Sequence, residues 1–513
     1  MGVTSPPPTR FEMESALEQH TKGVDHVPSA KPAPPSLLDA AAQAAAEFLA
    51  PFTANKASKP PTEHAPAAVV VVDPCSSGSV FANELHTRGV PLVCVWSDVC
   101  TDELISAHVR EGMRVPFLST VRHTCPADLP ATLDALRRVG TPIGDVIVGC
   151  ETGVLLADLL AEELGVRGNG TSKSNLRRNK WFQTEAVRAA GLNACGQKLA
   201  TCWEDVESFL SSNEFPTPFK AVVKPVEGAG SDGVFICDSP DAVRDAFKAL
   251  EGTKNALGLE NYSVLLQEYL SGEEYVVDTV SRDGEHKCVA LWVYDKRLFN
   301  GSPICYYGMR LIEDVATNPL AQDIIRYVLS VLTPLGIMNG AVHAEVKATP
   351  RGPVLVEANC RLHGADGQWD PICRRCLGYS QITALADAYL DPASFARLPS
   401  LPINMKGSGA CIDVRSTVEG TFTRFNEEGL RRIRELPSYI SEVLDIKPGD
   451  KIRLTVDALT IAGGIQIANT DGAQMEKDYN LIQEVIGDGL FEVAQEHATH
   501  KADSSKDIES ESA

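Results

Sequence analysis

The side chains best suited to chemistry lie in a predicted β-hairpin near residue 350. Two strand-like runs, residues 341–347 and 354–359, flank a Thr-Pro-Arg-Gly-Pro break whose prolines and glycine predict a turn. If the strands pair symmetrically about Arg351, Glu345 directly faces Glu357. Two opposed carboxylates repel each other unless a positive charge lies between them. The hairpin therefore predicts a cation-binding face.

The same register predicts which groups complete this face. His343 would face Asn359, and the two-residue period of a strand puts both on the side that carries the two glutamates. Two carboxylates and an amide oxygen are suitable ligands for Mg²⁺, which keeps open positions for phosphate oxygens. The planar guanidinium group of Arg361 could bind the phosphate that the cation holds. A solvent-facing hairpin would explain any one of these residues, but less readily the whole set.

Composition narrows the class of protein. The chain has 513 residues, which suggests about three domains, and its 44% hydrophobic and 22% charged residues are typical of a globular protein. A net charge of −21 argues against a nucleic-acid partner, because binding a phosphate backbone needs a clustered basic surface. No apolar run is long enough to span a membrane and no signal-peptide core is found, so we expect no membrane partner and a cytoplasmic location.

The pattern of cysteines also indicates an intracellular protein. Fourteen are scattered mostly singly, as in a reduced intracellular protein. Cys373 and Cys376 are the only pair with close metal-ligand spacing, and a structural zinc site would need a second pair. Their function stays open at this stage.

Valine-rich runs and helical periodicity predict how the chain is divided. A buried strand from Ala67, followed by strands at 92–96 and 145–148 and helices at 131–139 and 154–164, indicates a Rossmann-like parallel α/β unit. Its first loop is not a GxGxxG sequence, so dinucleotide binding is weakly supported. Both ends of the chain are predicted to be disordered, namely a Pro/Ala-rich arm at 1–65 with one helix near 37–50 and a tail at 497–513. Between them we predict an α/β domain at 66–170, a central and nucleotide-binding portion at 171–398 and an α+β portion at 399–496.

Two lysines and a glycine-rich loop could bind phosphate. Lys180 lies in a segment, 174–191, that we predict to be one helix closed by its glycine, and Lys224 ends a strand at 221–225. The loop 228–234 follows, and its glycines let backbone amides approach phosphate oxygens closely. A solvated lysine and an ordinary hairpin turn are the simpler explanations of each feature alone.

A further strand pair could hold a nucleoside. The strand at 265–270 ends where backbone groups could meet an adenine edge, and Glu274 on the next strand could accept ribose hydroxyls. Taken alone, Glu274 is better explained as a surface acid on a strand. Beyond residue 381 we predict a helix at 382–390, strands at 410–414, 451–458 and 461–467, and a helix near 478–485.

Together these motifs resemble the ATP-grasp superfamily of carboxylate–amine ligases, and within it the L-amino-acid ligases that make dipeptides. The resemblance covers residues 67–490 and implies an ATP-grasp fold after the N-terminal α/β domain, giving a mixed α/β and α+β multidomain protein. By this resemblance, ATP contacts are assigned to Lys180, Lys224, Gly230, Ser231, Gln267, Glu268, Leu270 and Glu274, and metal contacts, to Mg²⁺ or to Mn²⁺ in its place, to Glu345, Glu357 and Asn359.

The resemblance also implies the reaction. Arg361 is similar to the family arginine that stabilises the transferred phosphoryl group, although Leu362, His363, Gly364 and Ala365 stand where two glycines often follow it. The implied function is ATP-dependent ligation of a carboxylate to an amine through an acyl phosphate, with amino-acid substrates giving a dipeptide and with ADP and phosphate released. His363 and Asp366 could contact the amine or could stabilise their loop.

Three matters stay open. The chain could instead be an ATP-grasp ligase or carboxylase for a substrate other than an amino acid. It could also be an ATP-binding regulator without turnover, although such a protein has little need of Arg361. The sequence identifies neither the small-molecule carboxylate nor the amine, and it leaves the oligomeric state open, with a homodimer as one option.

Overall fold

In the computed structural model of the chain, the described residues are 67–494 apart from 110–113, 213–214, 216, 229–231, 256–257 and 445. The predicted arm, its helix near 37–50 and the C-terminal tail lie outside this part of the chain. So do Gly230 and Ser231 of the predicted phosphate loop. Among the described helices, none is long and apolar enough to cross a bilayer.

The first sheet is parallel, with strand order β3-β2-β1-β4. All five residues of its inner strand β1 are buried, which explains the unbroken Ala-Val-Val-Val-Val sequence of a strand covered on both faces. The three strands predicted in this region are confirmed. The elements are β1 Ala68–Val72, α1 Ser77–Thr87, β2 Leu92–Trp96, α2 Asp102–His108, β3 Ser119–Arg122, α3 Leu129–Arg137, β4 Ile143–Val148 and α4 Val154–Leu164.

One buried aspartate ties the loops at the carboxyl edge of this sheet together. Asp73 follows β1, and its carboxylate accepts hydrogen bonds from the Ser97 backbone (2.7 Å), the Ser97 hydroxyl (2.6 Å) and the Thr152 hydroxyl (2.6 Å). Burial raises the pKa of Asp73, although these hydrogen bonds oppose the rise. The loops after β1, β2 and β4 are therefore held at one edge of the sheet.

The segment predicted as one helix at 174–191 is divided, so that prediction is wrong in its first half. A 3₁₀ turn spans Ser174–Arg177, and Asn179 then adopts an extended backbone and accepts a hydrogen bond from the Phe182 N–H. This side-chain cap starts a new helix at Lys180. The division is explained by Asn179, since a capping side chain satisfies a free N–H only at a helix start.

The second sheet is antiparallel, with strand order β5-β8-β6-β7. Two helices pack on one of its faces through a buried cluster that includes Val206, Phe247 and Leu266. The predicted strand at 221–225 is confirmed, and the one predicted at 265–270 ends two residues early. The elements are α5 Lys180–Ala189, β5 Gln197–Ala200, α6 Trp203–Ser211, β6 Ala221–Pro225, β7 Phe235–Cys237, α7 Pro240–Leu250 and β8 Val264–Glu268.

The largest sheet has eight strands in the order β13-β12-β9-β10-β11-β14-β18-β16. The predicted hairpin is confirmed in its register, since Glu345 pairs with Glu357 and His343 with Asn359. Helix α8 packs on one face of the sheet, and the glutamate pair lies among residues that line a cleft. The central elements are β9 Glu274–Arg282, β10 Glu285–Phe299, β11 Ser302–Leu311, α8 Pro319–Leu332, β12 Gly340–Thr349, β13 Gly352–Asn359, α9 Asp370–Leu377, α10 Gln381–Leu390 and α11 Pro392–Arg397.

The C-terminal part adds three strands to this sheet and forms a small fourth sheet, ordered β17-β15-β19. The strand predicted at 451–458 is only two residues long, and its last predicted residue, Ala458, instead begins a 3₁₀ turn that Asp457 and Thr460 cap. The strand predicted at 461–467 begins three residues late. The elements are β14 Ser408–Asp413, β15 Gly420–Phe425, α12 Glu427–Arg434, β16 Tyr439–Val443, β17 Lys451–Ile452, β18 Gly464–Asn469, α13 Gly472–Asp488 and β19 Phe491–Val493.

Cys373 and Cys376 are core residues of α9. Both thiols are buried, and the helix packs against β14 and β18 in a hydrophobic cluster. All fourteen cysteines are free thiols. The short spacing of this pair is thus explained by one buried face of a helix, where residues three apart are neighbours.

We expect the buried ion pair between Arg177 and Asp158 to be required for stability. The Arg177 side chain is fully buried, binds Asp158 at 2.8 Å, and donates to the Leu335 carbonyl at 3.2 Å, which joins α4 to the turn before β12. Arg177→Ala leaves Asp158 buried without its cation and should lower the free energy of unfolding by about 3 to 5 kcal/mol in urea titrations followed by tryptophan fluorescence.

The matched control is Arg137→Ala, which breaks a bridge to Asp134 whose two side chains are each 59% exposed. Its cost should not exceed about 1 kcal/mol. Equal losses in the two variants would contradict a structural role for Arg177.

Candidate active site

A cleft of about 1080 Å³ is lined by residues of all four sheets or of the loops that follow their strands. The loops after β1 and β4, the ends of β6 and β8, and one face of the large sheet all contribute to it. Of the predicted site residues that the structure describes, only Asn359 does not line it. The predicted residues in its wall are Lys180, Lys224, Gln267, Glu268, Leu270, Glu274, Glu345, Glu357 and Arg361.

Glu357 is neutralised by a lysine from a distant helix. The Lys180 ammonium lies 2.7 Å from one Glu357 oxygen, and the Asn359 amide donates to the other at 3.1 Å. Burial alone would raise the pKa of Glu357, but the charges of Lys180 and Lys224 outweigh it and hold that pKa well below its usual range. Glu357 is therefore an anion that can bind a cation.

Lys224 is the more deeply buried of the two cleft lysines, with 5% of its surface exposed. Burial and the nearby Lys180 charge lower its pKa, while the Glu357 charge opposes that shift. Lys180 also donates to the Gly228 carbonyl at 3.2 Å, at the edge of the glycine-rich loop. Two ammonium groups beside this loop are suited to bind phosphate oxygens.

Glu274 is bound by two lysines that the sequence analysis did not identify. The Lys296 ammonium lies 2.5 Å from one of its oxygens and Lys347 lies 3.1 Å from the other. Burial would raise the pKa of Glu274, but the charges of Lys296 and Lys347 lower it. Strand alternation accounts for the position of both lysines. Lys347 lies two residues after Glu345 and Lys296 two residues after Tyr294, and all four residues line the cleft.

Lys296 itself is held between two aromatic rings. Its ammonium lies 4.5 Å from the Tyr294 ring centroid and 4.3 Å from that of Tyr306. These cation–π contacts and the Glu274 pair fix an amine in the wall of the cleft.

The segment predicted to bind adenine ends its strand at the cleft. The side chains of Gln267 and Glu268 bind protein groups, namely Gln197 at 3.0 Å and the Gly196 N–H at 2.7 Å. Strand pairing stops at Glu268, and Tyr269 and Leu270 continue along the wall of the cleft. Backbone groups after Glu268 are thus more available to a ligand than the two side chains before them.

Arg361 is oriented by a carboxylate from the first sheet. Its Nε donates to Glu151 at 3.0 Å, and its Nη1 donates to the Leu362 carbonyl at 2.8 Å. Glu151 follows β4 and is 6% exposed. Glu151 was not predicted from the sequence, although side chains just after a parallel strand collect at the ligand-binding edge of a sheet.

A buried network fixes Glu345. Asp278 accepts hydrogen bonds from Nδ1 of His343 at 3.2 Å, Nδ1 of His363 at 3.0 Å and the Trp292 indole at 2.9 Å. His343 in turn contacts Glu345 through Nε2 at 3.2 Å. Asp278, His343 and His363 are residue types that bind metals, and their carboxylate oxygens and Nδ1 atoms are joined by these hydrogen bonds.

The charges in this network favour an imidazolium at His343. Burial lowers the pKa of His343, but Asp278 and Glu345 outweigh burial and raise it. Burial likewise would raise the pKa of Asp278, but the two histidines hold it well below its usual range. The sequence placed His343 on the correct face, whereas Asp278 was missed because it comes from the neighbouring strand β9.

Comparisons with known proteins agree on one family. Residues 217–368 match the model of the ATP-grasp domain. Dapdiamide A synthase of Enterobacter agglomerans is 32% identical over 347 residues, covering 67% of this chain and 79% of the relative. Alanine–anticapsin ligase of Bacillus subtilis is 24% identical over 261 residues, covering 47% of this chain and 52% of the relative.

The fold has close counterparts among solved structures. The L-amino acid ligase from Bacillus licheniformis superposes with a TM-score of 0.65 at 16% identity, over 84% of this chain and all of that one. The phosphoribosylglycinamide synthetase from Anaerococcus prevotii gives 0.57 at 10% identity over the same share of this chain. The predicted ATP-grasp fold is confirmed, and the chain belongs to the ATP-grasp family of ATP-dependent carboxylate–amine ligases.

Proposed function

We propose that this ligase joins two amino acids into a dipeptide. The carboxylate of one is phosphorylated by ATP, and the amine of the other displaces phosphate from the acyl phosphate. The observation that carries the proposal is the pairing of Glu345 with Glu357 beside Lys180, with Arg361 in the same cleft. Two relatives are named for amino-acid ligation, one of them for alanine, which supports the substrate class.

Nucleotide binding is assigned to the residues at one end of the cleft. Lys180 and Lys224 bind phosphate oxygens, and the backbone from Glu268 to Leu270 binds the adenine edge. Glu274 accepts the ribose hydroxyls and shares its charge with Lys296 and Lys347. The contacts of Gly230 and Ser231 with phosphate stay predictions from the sequence.

The residues near Glu357 fit a divalent cation. Glu345 and Glu357 supply carboxylate oxygens, and Asn359 donates to Glu357 through its nitrogen, which leaves its amide oxygen for a metal. Such oxygen ligands suit Mg²⁺ or Mn²⁺. A bound cation of this kind would offset negative charge on the phosphate groups. The protein's own part is to hold Glu357 ionised and to keep the two carboxylates in register.

Arg361 has the geometry to hold the activated substrate. Glu151 and the Leu362 carbonyl occupy Nε and Nη1, which leaves one side of the guanidinium towards the cleft. A planar guanidinium group binds a carboxylate or an acyl phosphate through two parallel hydrogen bonds and so holds it in one orientation, which favours in-line attack.

Another group of cleft residues suits a zwitterionic substrate. Asp413 and Arg453 provide charges of both signs, and Ile452, Leu459 and Ile461 provide apolar walls. Burial raises the pKa of Asp413 to about 7, against the opposing charge of Arg415. An ammonium group bound beside such a buried carboxyl group would favour its ionised form, and the two charges would then attract each other.

The proposed function is tested by measuring phosphate release with ATP and Mg²⁺ across a matrix of amino-acid pairs, with mass spectrometry of the products. We expect release that depends on two amino acids and a product one water lighter than their sum. Release that depends on other acids or amines, but on no amino-acid pair, would contradict the dipeptide assignment.

Replacing Glu357 tests the cation site. Glu357→Gln keeps the shape but removes the charge, and should lower kcat by about 100-fold or more because such sites contribute several kcal/mol. The half-saturating Mg²⁺ concentration should rise as well. The control is Glu428→Gln, since that side chain is 65% exposed on α12. Full activity of Glu357→Gln would refute the assignment.

Replacing Lys224 tests phosphate binding. Lys224→Met preserves the volume of the side chain, and should raise the KM for ATP about tenfold because a charged hydrogen bond contributes roughly 1.5 kcal/mol or more. Lys198→Met is the control, since Lys198 pairs with Asp205 away from the cleft. An unchanged KM for ATP would count against the role of Lys224.

A further inference from the structure

The ring of His363 is held rigidly at the wall of the cleft. Its Nδ1 binds Asp278 at 3.0 Å, and the ring stacks on Trp369 with centroids 5.4 Å apart and an interplanar angle of 22°. The backbone N–H of His363 donates to Gln381 at 2.8 Å, and its carbonyl accepts from Ser77. Both the ring and its backbone are therefore oriented by groups from other elements.

These contacts leave one ring nitrogen for a ligand. A carboxylate accepts the Nδ1 proton, so the neutral ring carries its lone pair on Nε2. In the described part of the chain, no protein group binds Nε2 of His363, whereas His343 uses both of its nitrogens. His363 is only 3% exposed, and it lines the cleft.

The environment keeps this ring neutral. Burial lowers the pKa of His363 to about 4, and the nearby His343 adds to the effect, while the Asp278 charge opposes it. A neutral imidazole accepts a hydrogen bond at Nε2, and an aspartate behind it stabilises the cation that forms when it gains a proton. The arrangement is that of an acceptor facing a ligand site.

His363 also lies next to the proposed reacting groups. Its ring centroid is 4.1 Å from that of His343, which contacts Glu345 at 3.2 Å. His363 lies two residues after Arg361. The residue that follows it, Gly364, is also close to the arginine, since a Cβ added at Gly364 would lie 3.8 Å from Nη1 of Arg361. The open nitrogen is thus separated from a carboxylate of the proposed cation site by one imidazole ring.

We propose that Nε2 of His363 binds the attacking amine and accepts the proton that its nitrogen loses as the amide forms. The inference rests on the proposed function. The amine nitrogen attacks the acyl carbon as a free base, and a C–N bond forms. The C–O bond to phosphate breaks and phosphate leaves with the electron pair. The surplus proton on nitrogen passes to Nε2 and then to solvent.

The test separates activation of the acid from attack by the amine. Hydroxylamine is largely unprotonated and strongly nucleophilic at neutral pH, so it traps an acyl phosphate with little need of a protein base. In His363→Asn the amide can still bind Asp278 from the Nδ1 position, but Nε2 is lost. We expect amino-acid-dependent amide formation to fall by about 100-fold or more, within the range for a general base, with hydroxamate formation close to wild type.

Two further variants make the outcome decisive. His123→Asn is the matched control, because His123 is a buried histidine bound to Thr132 in the first sheet domain, outside the cleft; it should leave both rates unchanged. His363→Gln places an amide near the Nε2 position and cannot take up a proton, so it should show the same selective loss. Thermal melting of each variant identifies any that is unfolded.

Equal loss of amide and hydroxamate formation in both folded His363 variants would overturn the proposal, and so would amide formation at the wild-type rate. Absence of hydroxamate with the wild-type chain and every acid would overturn the proposed function together with this proposal. Selective loss with retained hydroxamate would support both.

Discussion

The site depends on the electrostatic conflict created by one hairpin. Antiparallel pairing of β12 and β13 sets Glu345 opposite Glu357, and backbone hydrogen bonding keeps them there whatever their charge. Like charges at this separation are costly unless cations lie near them. The protein supplies one such group for each glutamate. The Lys180 ammonium contacts Glu357, and the imidazole of His343 contacts Glu345.

These counter-charges connect three of the four sheets. Lys180 begins a helix that precedes the second sheet, and Lys224 ends a strand within it. Glu151 extends from the first sheet to Arg361, and Ser77 binds the backbone after that arginine. Each of these three sheets therefore contributes a group without which a charge in the cleft would be left unpaired, and burial makes an unpaired charge expensive.

The loop after Arg361 is fixed by contacts from several elements. The ring of His363 is enclosed by Asp278, Trp292 and Trp369. Ala365 and Asp366 adopt left-handed backbone conformations, with φ of 53° and 49°. Asp366 is one residue before Gly367, where a Cβ would lie 2.9 Å from Val80, so the loop packs tightly on α1. This wall of the cleft is thus shaped by residues outside the predicted ATP-binding motifs.

The sequence by itself determined the local elements and much of the hairpin face. Turn residues and strand alternation were enough to predict the register of Glu345 with Glu357, because pairing across a short turn is a local property. Valine-rich composition likewise predicted the buried parallel strands. Local patterns failed where a side chain binds a nearby backbone N–H and so begins a helix or a turn. This happens at the cap formed by Asn179 and at the turn capped by Asp457.

Only the tertiary structure decided which distant groups meet in the cleft. Glu151 is 210 residues from Arg361, and Asp278 is 85 residues from His363, so no sequence period relates them. Lys296 and Lys347 could be placed on a face by strand period, but their shared contact with Glu274 depends on the order of β9, β10 and β12 in the sheet. Strand order is set by packing of the whole chain, since hydrophobic burial is non-directional and does not specify partners locally.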